Sequence, residues 1–273
     1  MPDIALAHGV TEYELVGPDS GPLVVLLHGA SVPKWTWDRQ VPALVEAGFR
    51  TLRYDMYGRG ESAYPSTTYN RDLFQKQLHD LLAGLNIVVP FHLVGFSFGG
   101  ATAANFAATN PDKVRSLVFV APVFFFEEKN YLIRIARIPI LGELFMRFIV
   151  MKKAAQRASK LWIRTPLTES YANKFRQQLL RPGFAASFLS FLRSDALGDY
   201  SGIYEQVGKI RCNISLIWGS GDEDIPEKHI AQIRSLVPQA EYHELPDIGH
   251  GAVFQAATEV NTLLLAHLSR SHA

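Results

Sequence analysis

Short unbroken apolar runs alternate along this chain with segments whose apolar residues recur every three or four positions. The run "PLVVLLHG" (22–29) is continuous and stops at glycine, the pattern of a strand buried on both faces. "TWDRQVPALVEAG" (36–48) carries helix spacing and closes at Gly48. "RTLRYDM" (50–56) returns to strand character, and the stripe Leu73, Phe74, Gln77, Leu78, Leu81 and Leu82 predicts a helix over 71–85. "FHLVGF" (91–96) reads as a third strand, followed by the small-residue helix "GGATAANFAATNP" and a fourth strand over 114–122. A fifth strand (213–219) and a sixth (240–246) bracket a helix near 226–236, and "AVFQAATEVNTLLLAHLSR" closes the chain as a helix. This alternation predicts an α/β fold with a mostly parallel, doubly wound sheet.

One stretch breaks the rhythm. Between Pro122 and about Val207 there is no strand-like run, only helical patterns broken at Pro139, Gly142, Pro166 and Pro182. That is too long for a simple crossover, so residues 123–207 are expected to form an inserted helical lid on a core of 1–122 and 208–273. The insertion is also where charge collects. Residues 123–206 carry 13 Lys and Arg against 7 Asp and Glu, whereas the whole chain nets only +1. The plain reading is a solvated helical face. The sharper one is that Arg134, Arg137, Arg147, Lys152, Lys153 and Arg157 meet an anionic partner, either an acidic carrier protein or an anionic membrane surface.

Bulk composition narrows the rest. With 48% hydrophobic and 19% charged residues in 273, a sizeable core is affordable and no nucleic-acid partner is expected. A single cysteine, Cys212, allows no internal disulfide. The first residues lack a secretory pattern, and "YLIRIARIPILGELFMRFIVM" is too interrupted by Arg134, Arg137, Glu143 and Arg147 to span a membrane. A cytoplasmic location is the expectation. No metal-ligand spacing or dinucleotide fingerprint is present, and no cofactor is expected.

The chemistry gathers around "VGFSFGGA" (94–101), where Ser97 sits between glycines at a strand-to-helix turn. That is the setting of a nucleophile elbow, and the N–H of Phe98 would stand at a helix N-terminus suited to an anion. His250, in the loop after the last strand, would lie on the same carboxyl edge of the sheet. "WGSGDEDIP" follows the fifth strand and offers two acids, Asp222 and Asp224. The order Ser97, acid, His250 is that of a serine-hydrolase triad.

Together with "HGAS" (28–31), "DMYGRGES" (55–62) and "GHG" (249–251), these motifs make the chain resemble the α/β-hydrolases of the lidded esterase and lipase group. The resemblance implies a Ser97–Asp222–His250 triad, Asp222 being favoured by its spacing from Gly219 and Pro226. It also implies an oxyanion hole from the N–H groups of Ala30 and Phe98, with His28 orienting the loop. The implied activity is hydrolysis of carboxylic esters with apolar acyl groups, without a cofactor. Trp35, Phe96 and Phe98 are the expected substrate-binding aromatics. Two alternatives accompany this reading: a C–C bond hydrolase of ring-fission products, and a ligand receptor or scaffold on the same fold.

Overall fold

The computed structural model describes residues 2–125, 131–161 and 168–271. Eight strands form one sheet: β1 (Asp3–Leu6), β2 (Gly9–Val16), β3 (Leu23–Leu27), β4 (Arg50–Tyr54), β5 (Phe91–Phe96), β6 (Val114–Val120), β7 (Asn213–Gly219) and β8 (Glu241–Leu245). Their spatial order is β1-β2-β4-β3-β5-β6-β7-β8. All neighbours from β4 to β8 are parallel, while β1/β2 and β2/β4 are antiparallel. The six expected strands are present, within a few residues of the expected limits. Every residue of β3 and β5 is buried, which explains their unbroken apolar runs.

The N-terminal hairpin β1–β2 was not expected from the sequence. Its faces do not alternate, because Thr11 and Glu12 are both buried. Glu12 is there to pair with Lys34, whose ammonium also lies 3.1 Å from Asp55. Burial raises the Asp55 and Glu12 pKa values against the lowering effect of Lys34. The cluster ties the hairpin to the turn after β4.

Helices α1 (Val41–Glu46), α2 (Arg71–Gly84) and α3 (Phe98–Thr109) alternate with these strands. The helix expected over 36–48 is split into a 3₁₀ turn at Lys34–Trp37 and α1. Pro42 belongs in the first turn of a helix, where its missing N–H costs nothing, so α1 starts beside it. The small residues of α3 bring it against the sheet: a Cβ at Gly99 would overlap the Leu27 carbonyl.

Between β6 and β7 the described residues contain no strand. They form α4 (Tyr131–Ala136), α5 (Leu141–Phe145), a π-helical turn (Met146–Val150), α6 (Met151–Leu161), α7 (Thr168–Leu180), α8 (Phe184–Arg193) and α9 (Ser201–Val207). Then come α10 (Glu227–Leu236) between β7 and β8, and α11 (Ala252–Gln255) and α12 (Ala257–Arg270) after β8. The helix α9 packs on α3 and α10 against the core. Polar contacts tie α7 to the core: Lys174 pairs with Asp38 at 2.6 Å, and Gln178 accepts the Gly60 N–H at 3.1 Å. No described helix is long and apolar enough to cross a membrane.

Candidate active site

The carboxyl ends of β3, β5, β7 and β8 each deliver one part of the site. Ser97 links β5 to α3 with φ 55° and ψ −119°, a conformation unusual outside glycine. Its N–H donates to the Val120 carbonyl at 2.9 Å, and its own carbonyl accepts from Val123 at 3.1 Å. The strained turn is therefore fixed from β6, and Oγ stands clear of the helix.

His250 follows β8. Its Nε2 lies 3.0 Å from Ser97 Oγ, and its Nδ1 lies 2.8 Å from Asp222 Oδ2. The other carboxylate oxygen, Asp222 Oδ1, accepts the N–H groups of Asp224 and Ile225, both at 2.9 Å. Asp222 is thus aimed by its own turn, with its side chain wholly buried. Asp224 is exposed and supplies a backbone N–H to that aim; it is Asp222 that meets the imidazole. Burial alone would lower the His250 pKa, but the charge and hydrogen bond of Asp222, helped by the charge of Asp224, raise it. With Asp222 accepting from Nδ1–H, the lone pair of Nε2 faces the serine hydroxyl.

The side expected to receive an oxyanion is built from the loop after β3. His28 is wholly buried; its Nε2 accepts the Met56 N–H at 2.8 Å, so Nδ1 carries the proton and donates to the Gly29 carbonyl at 2.8 Å. Burial lowers its pKa to about 3, with the charges of Arg59 and Lys34 acting in the same direction. The Gly29 carbonyl and the Ala30 N–H belong to one trans peptide, so fixing the first on His28 turns the second the opposite way. Ala30 and Gly29 both line the cavity in front of Ser97. Phe98 opens α3, so its N–H is beyond reach of any intrahelical carbonyl.

Behind Ala30 lies a residue that sequence reasoning passed over. Arg59 is wholly buried, and its Nε donates to the Ala30 carbonyl while Nη1 donates to the Gly58 carbonyl. Its guanidinium sits 5.4–5.6 Å from the ring centroids of Phe184, Phe188 and Phe191 on α8. Burial lowers its pKa to about 10, so it stays charged at neutral pH. The only sequence signal was its place between Gly58 and Gly60.

The cavity over Ser97 is about 290 Å³ and is lined by Gly29, Ala30, Ser31, Val32, Phe96, Ser97, Val123, Phe188, Leu197, Asp224, Ile225, His250 and Gly251. Of the three expected substrate-binding aromatics it holds Phe96 alone. Phe98 is buried in the core against Phe74 of α2 and Phe191 of α8, so its ring packs among helices instead of facing the cavity. Trp35 stacks on Tyr171 at 5.8 Å and borders a separate, larger cleft of about 650 Å³ beside α7. That cleft does not reach Ser97, and its charges satisfy one another: Arg53 with Asp38 and Glu14, Lys174 with Asp38, Arg181 with Glu61. Phe188 and Leu197, from the insertion, were missed because helical apolar spacing does not tell a pocket wall from packing.

Asp222, Asp224 and His250 also bring possible metal-ligand atoms within 4.8 Å of one another. The hydrogen bonds described above already engage both Asp222 oxygens and both ring nitrogens. Cys212 is half-buried, and burial lifts its thiol to about 11, which suits packing. Arg134, Arg137, Lys152 and Lys153 are exposed on the insertion, whereas the side chains of Arg147 and Arg157 lie outside what is described.

The sequence profile of the alpha/beta hydrolase fold matches residues 22–257. A 2-hydroxy-6-oxononadienedioate/2-hydroxy-6-oxononatrienedioate hydrolase from a Pseudomonas species is 27% identical over 277 residues, covering 96% of this chain and 95% of that one. An enol-lactonase from Burkholderia xenovorans superposes with a TM-score of 0.84 at 20% identity, covering 98% of this chain and all of the other. A thermophilic esterase from Thermogutta terrifontis superposes at 0.80 with 21% identity over the full length of both.

Proposed function

The chain belongs to the alpha/beta hydrolase fold family, and on that premise we propose that it is a carboxylic ester hydrolase acting on uncharged, apolar acyl groups through an acyl-enzyme. The observation that carries this reading is the joined relay Ser97–His250–Asp222 at the floor of a mainly apolar cavity. In the proposed reaction Ser97 Oγ attacks the ester carbonyl while His250 Nε2 takes its proton. Asp222 holds the Nδ1–H tautomer and favours the imidazolium. The N–H groups of Ala30 and Phe98 receive the oxyanion; each such donor is worth about 2.7–4 kcal/mol of barrier. His250 then protonates the leaving alcohol, and water, activated the same way, releases the acid.

C–C hydrolysis of ring-fission products is the second reading, favoured by the likeness to the Pseudomonas enzyme. A substrate with the two carboxylates of that enzyme's named substrate would meet Asp224 in this cavity. Among the described lining residues, no Lys or Arg would receive it. The ester reading is preferred for that reason. A fluorophosphonate probe should label Ser97 and not the Ser97→Ala variant. A panel of p-nitrophenyl esters together with one ring-fission dienoate decides the substrate: higher kcat/KM on the dienoate than on every ester would reject the proposal. Failure to label a folded, wild-type protein would favour a receptor or scaffold.

A further inference from the structure

The segment from α4 to α6 is apolar on two opposite sides. Inward, Ala136, Gly142, Phe145 and Met146 are buried, with Ala136 and Met146 packed on Leu189 of α8. Outward, Ile138 (49% exposed), Ile140 (77%), Leu141 (48%), Leu144 (51%) and Phe148 (61%) face solvent within eleven consecutive residues. Isolated exposed apolar residues are ordinary, but a run of five marks a surface meant to be covered. The same segment supplies the cations. Residues 131–161 contain seven Lys and Arg and a single acid, Glu143, which pairs with Arg193 at 2.7 Å. Arg134, Arg137, Lys152 and Lys153 are exposed on either side of the apolar run.

We propose that this face of the insertion docks on an anionic lipid bilayer, with Ile140, Leu141 and Leu144 entering the interface and Arg134, Lys152 and Lys153 engaging the headgroups. Charge complementarity selects the anionic surface, since the segment is strongly basic. The apolar run selects lipid over an acidic protein. A bilayer interface takes up projecting aliphatic side chains without a matching groove, whereas a protein partner must supply one. Docking would set the pocket one helix from the membrane, because Leu189 of α8 packs on this segment while the adjacent Phe188 lines the cavity. Only the benefit of that placement, access to acyl esters held in lipid, rests on the ester-hydrolase reading.

Co-sedimentation with sucrose-loaded vesicles tests the docking without turnover, so its failure leaves ester hydrolysis untouched. The wild-type chain should bind phosphatidylglycerol-rich vesicles at least tenfold more tightly than pure phosphatidylcholine, and lose that preference between about 0.05 and about 0.5 M salt. Lys152→Glu with Lys153→Glu should weaken binding by about twentyfold or more, each cation near an anionic leaflet being worth about fivefold. Ile140→Asp with Leu144→Asp should also release the protein. Both pairs should keep the wild-type circular dichroism and turnover of a short soluble ester. The wild-type salt response decides the matter even where a variant fails to fold. Equal binding to neutral and anionic vesicles, undiminished binding by both folded variant pairs, or capture by an acidic acyl carrier protein with no vesicle binding would each overturn the proposal.

Discussion

His28 hydrogen-bonds to Gly29 and Met56 rather than to Ser97, yet replacing it by glutamine should cripple turnover. Glutamine can place an acceptor where Nε2 receives the Met56 N–H, but it has no donor where Nδ1–H holds the Gly29 carbonyl. Freed from that bond, the Gly29–Ala30 peptide no longer presents its N–H to the oxyanion. The expected loss is about 10²–10³ in kcat with little change in KM, because the donor acts on charge that develops only in the transition state. The orphaned Gly29 carbonyl should cost about 1–3 kcal/mol of stability. The histidine also links stability to pH. Its pKa falls from 6.5 to about 3 on folding, so the unfolded chain takes up a proton there that the folded chain refuses. The stability it lends is complete above 6.5 and is lost as pH falls toward 3. At pH 5 the wild type should have lost about 2 kcal/mol through this residue alone. His28→Gln has nothing to titrate, so urea melts at pH 7.5 and pH 5 should show its stability deficit shrinking by about that amount. A folded His28→Gln with wild-type kcat, or a deficit that is the same at both pH values, would refute this account of the oxyanion loop.

Three further outcomes follow from the site geometry. Asp222→Asn should lower kcat by up to about 10⁴ while leaving the fold intact, measured on any ester the wild type turns over; Asp224→Asn should leave kcat nearly unchanged. On the proposed mechanism His250 must be neutral to act as base, and since its pKa is raised, the acid limb of kcat/KM should fall above 6.5. Asp224→Asn should move that limb downward by removing one of the charges that hold it up, and an acid limb below 6.5 in the wild type would contradict the relay. Phe188→Ala should shift the preferred acyl chain toward longer esters and Leu197→Phe toward shorter, each buried CH₂ being worth about 0.8 kcal/mol, or about fourfold in kcat/KM. Identical chain-length profiles in all three proteins would take the insertion out of the pocket wall.

The centre of the parallel sheet was readable because β3 and β5 are buried on both faces: "LVVLL" and "FHLVGF" can hardly be anything else. The hairpin β1–β2 was not, since the burial of Glu12 depends on Lys34 and Asp55, partners that no local pattern reveals. The positions of Ser97, Asp222 and His250 were legible because each is tied to the end of a strand whose place the pattern had already set. Which acid turns inward was not decidable from the residues themselves; it depends on two backbone N–H groups reaching Asp222 Oδ1. Aromatic residues near the motifs misled for a simple reason. Trp35 and Phe98 lie close to the site along the chain, but their side chains leave it, toward Tyr171 and toward Phe74. Arg59 hid among the residues of a turn, its burial set by three phenyl rings more than 120 positions downstream.

The φ of 55° at Ser97 sets the fold and the chemistry against each other. A backbone in that region costs a non-glycine residue about 1–3 kcal/mol, whereas glycine adopts it freely. Glycine at this position would therefore relax the turn and yield a sturdier protein with no hydroxyl. Drift toward thermal robustness alone would erase the serine, and stabilising this chain by redesign must leave that one position out. On the proposed mechanism, whatever maintains serine there acts on catalysis rather than on folding.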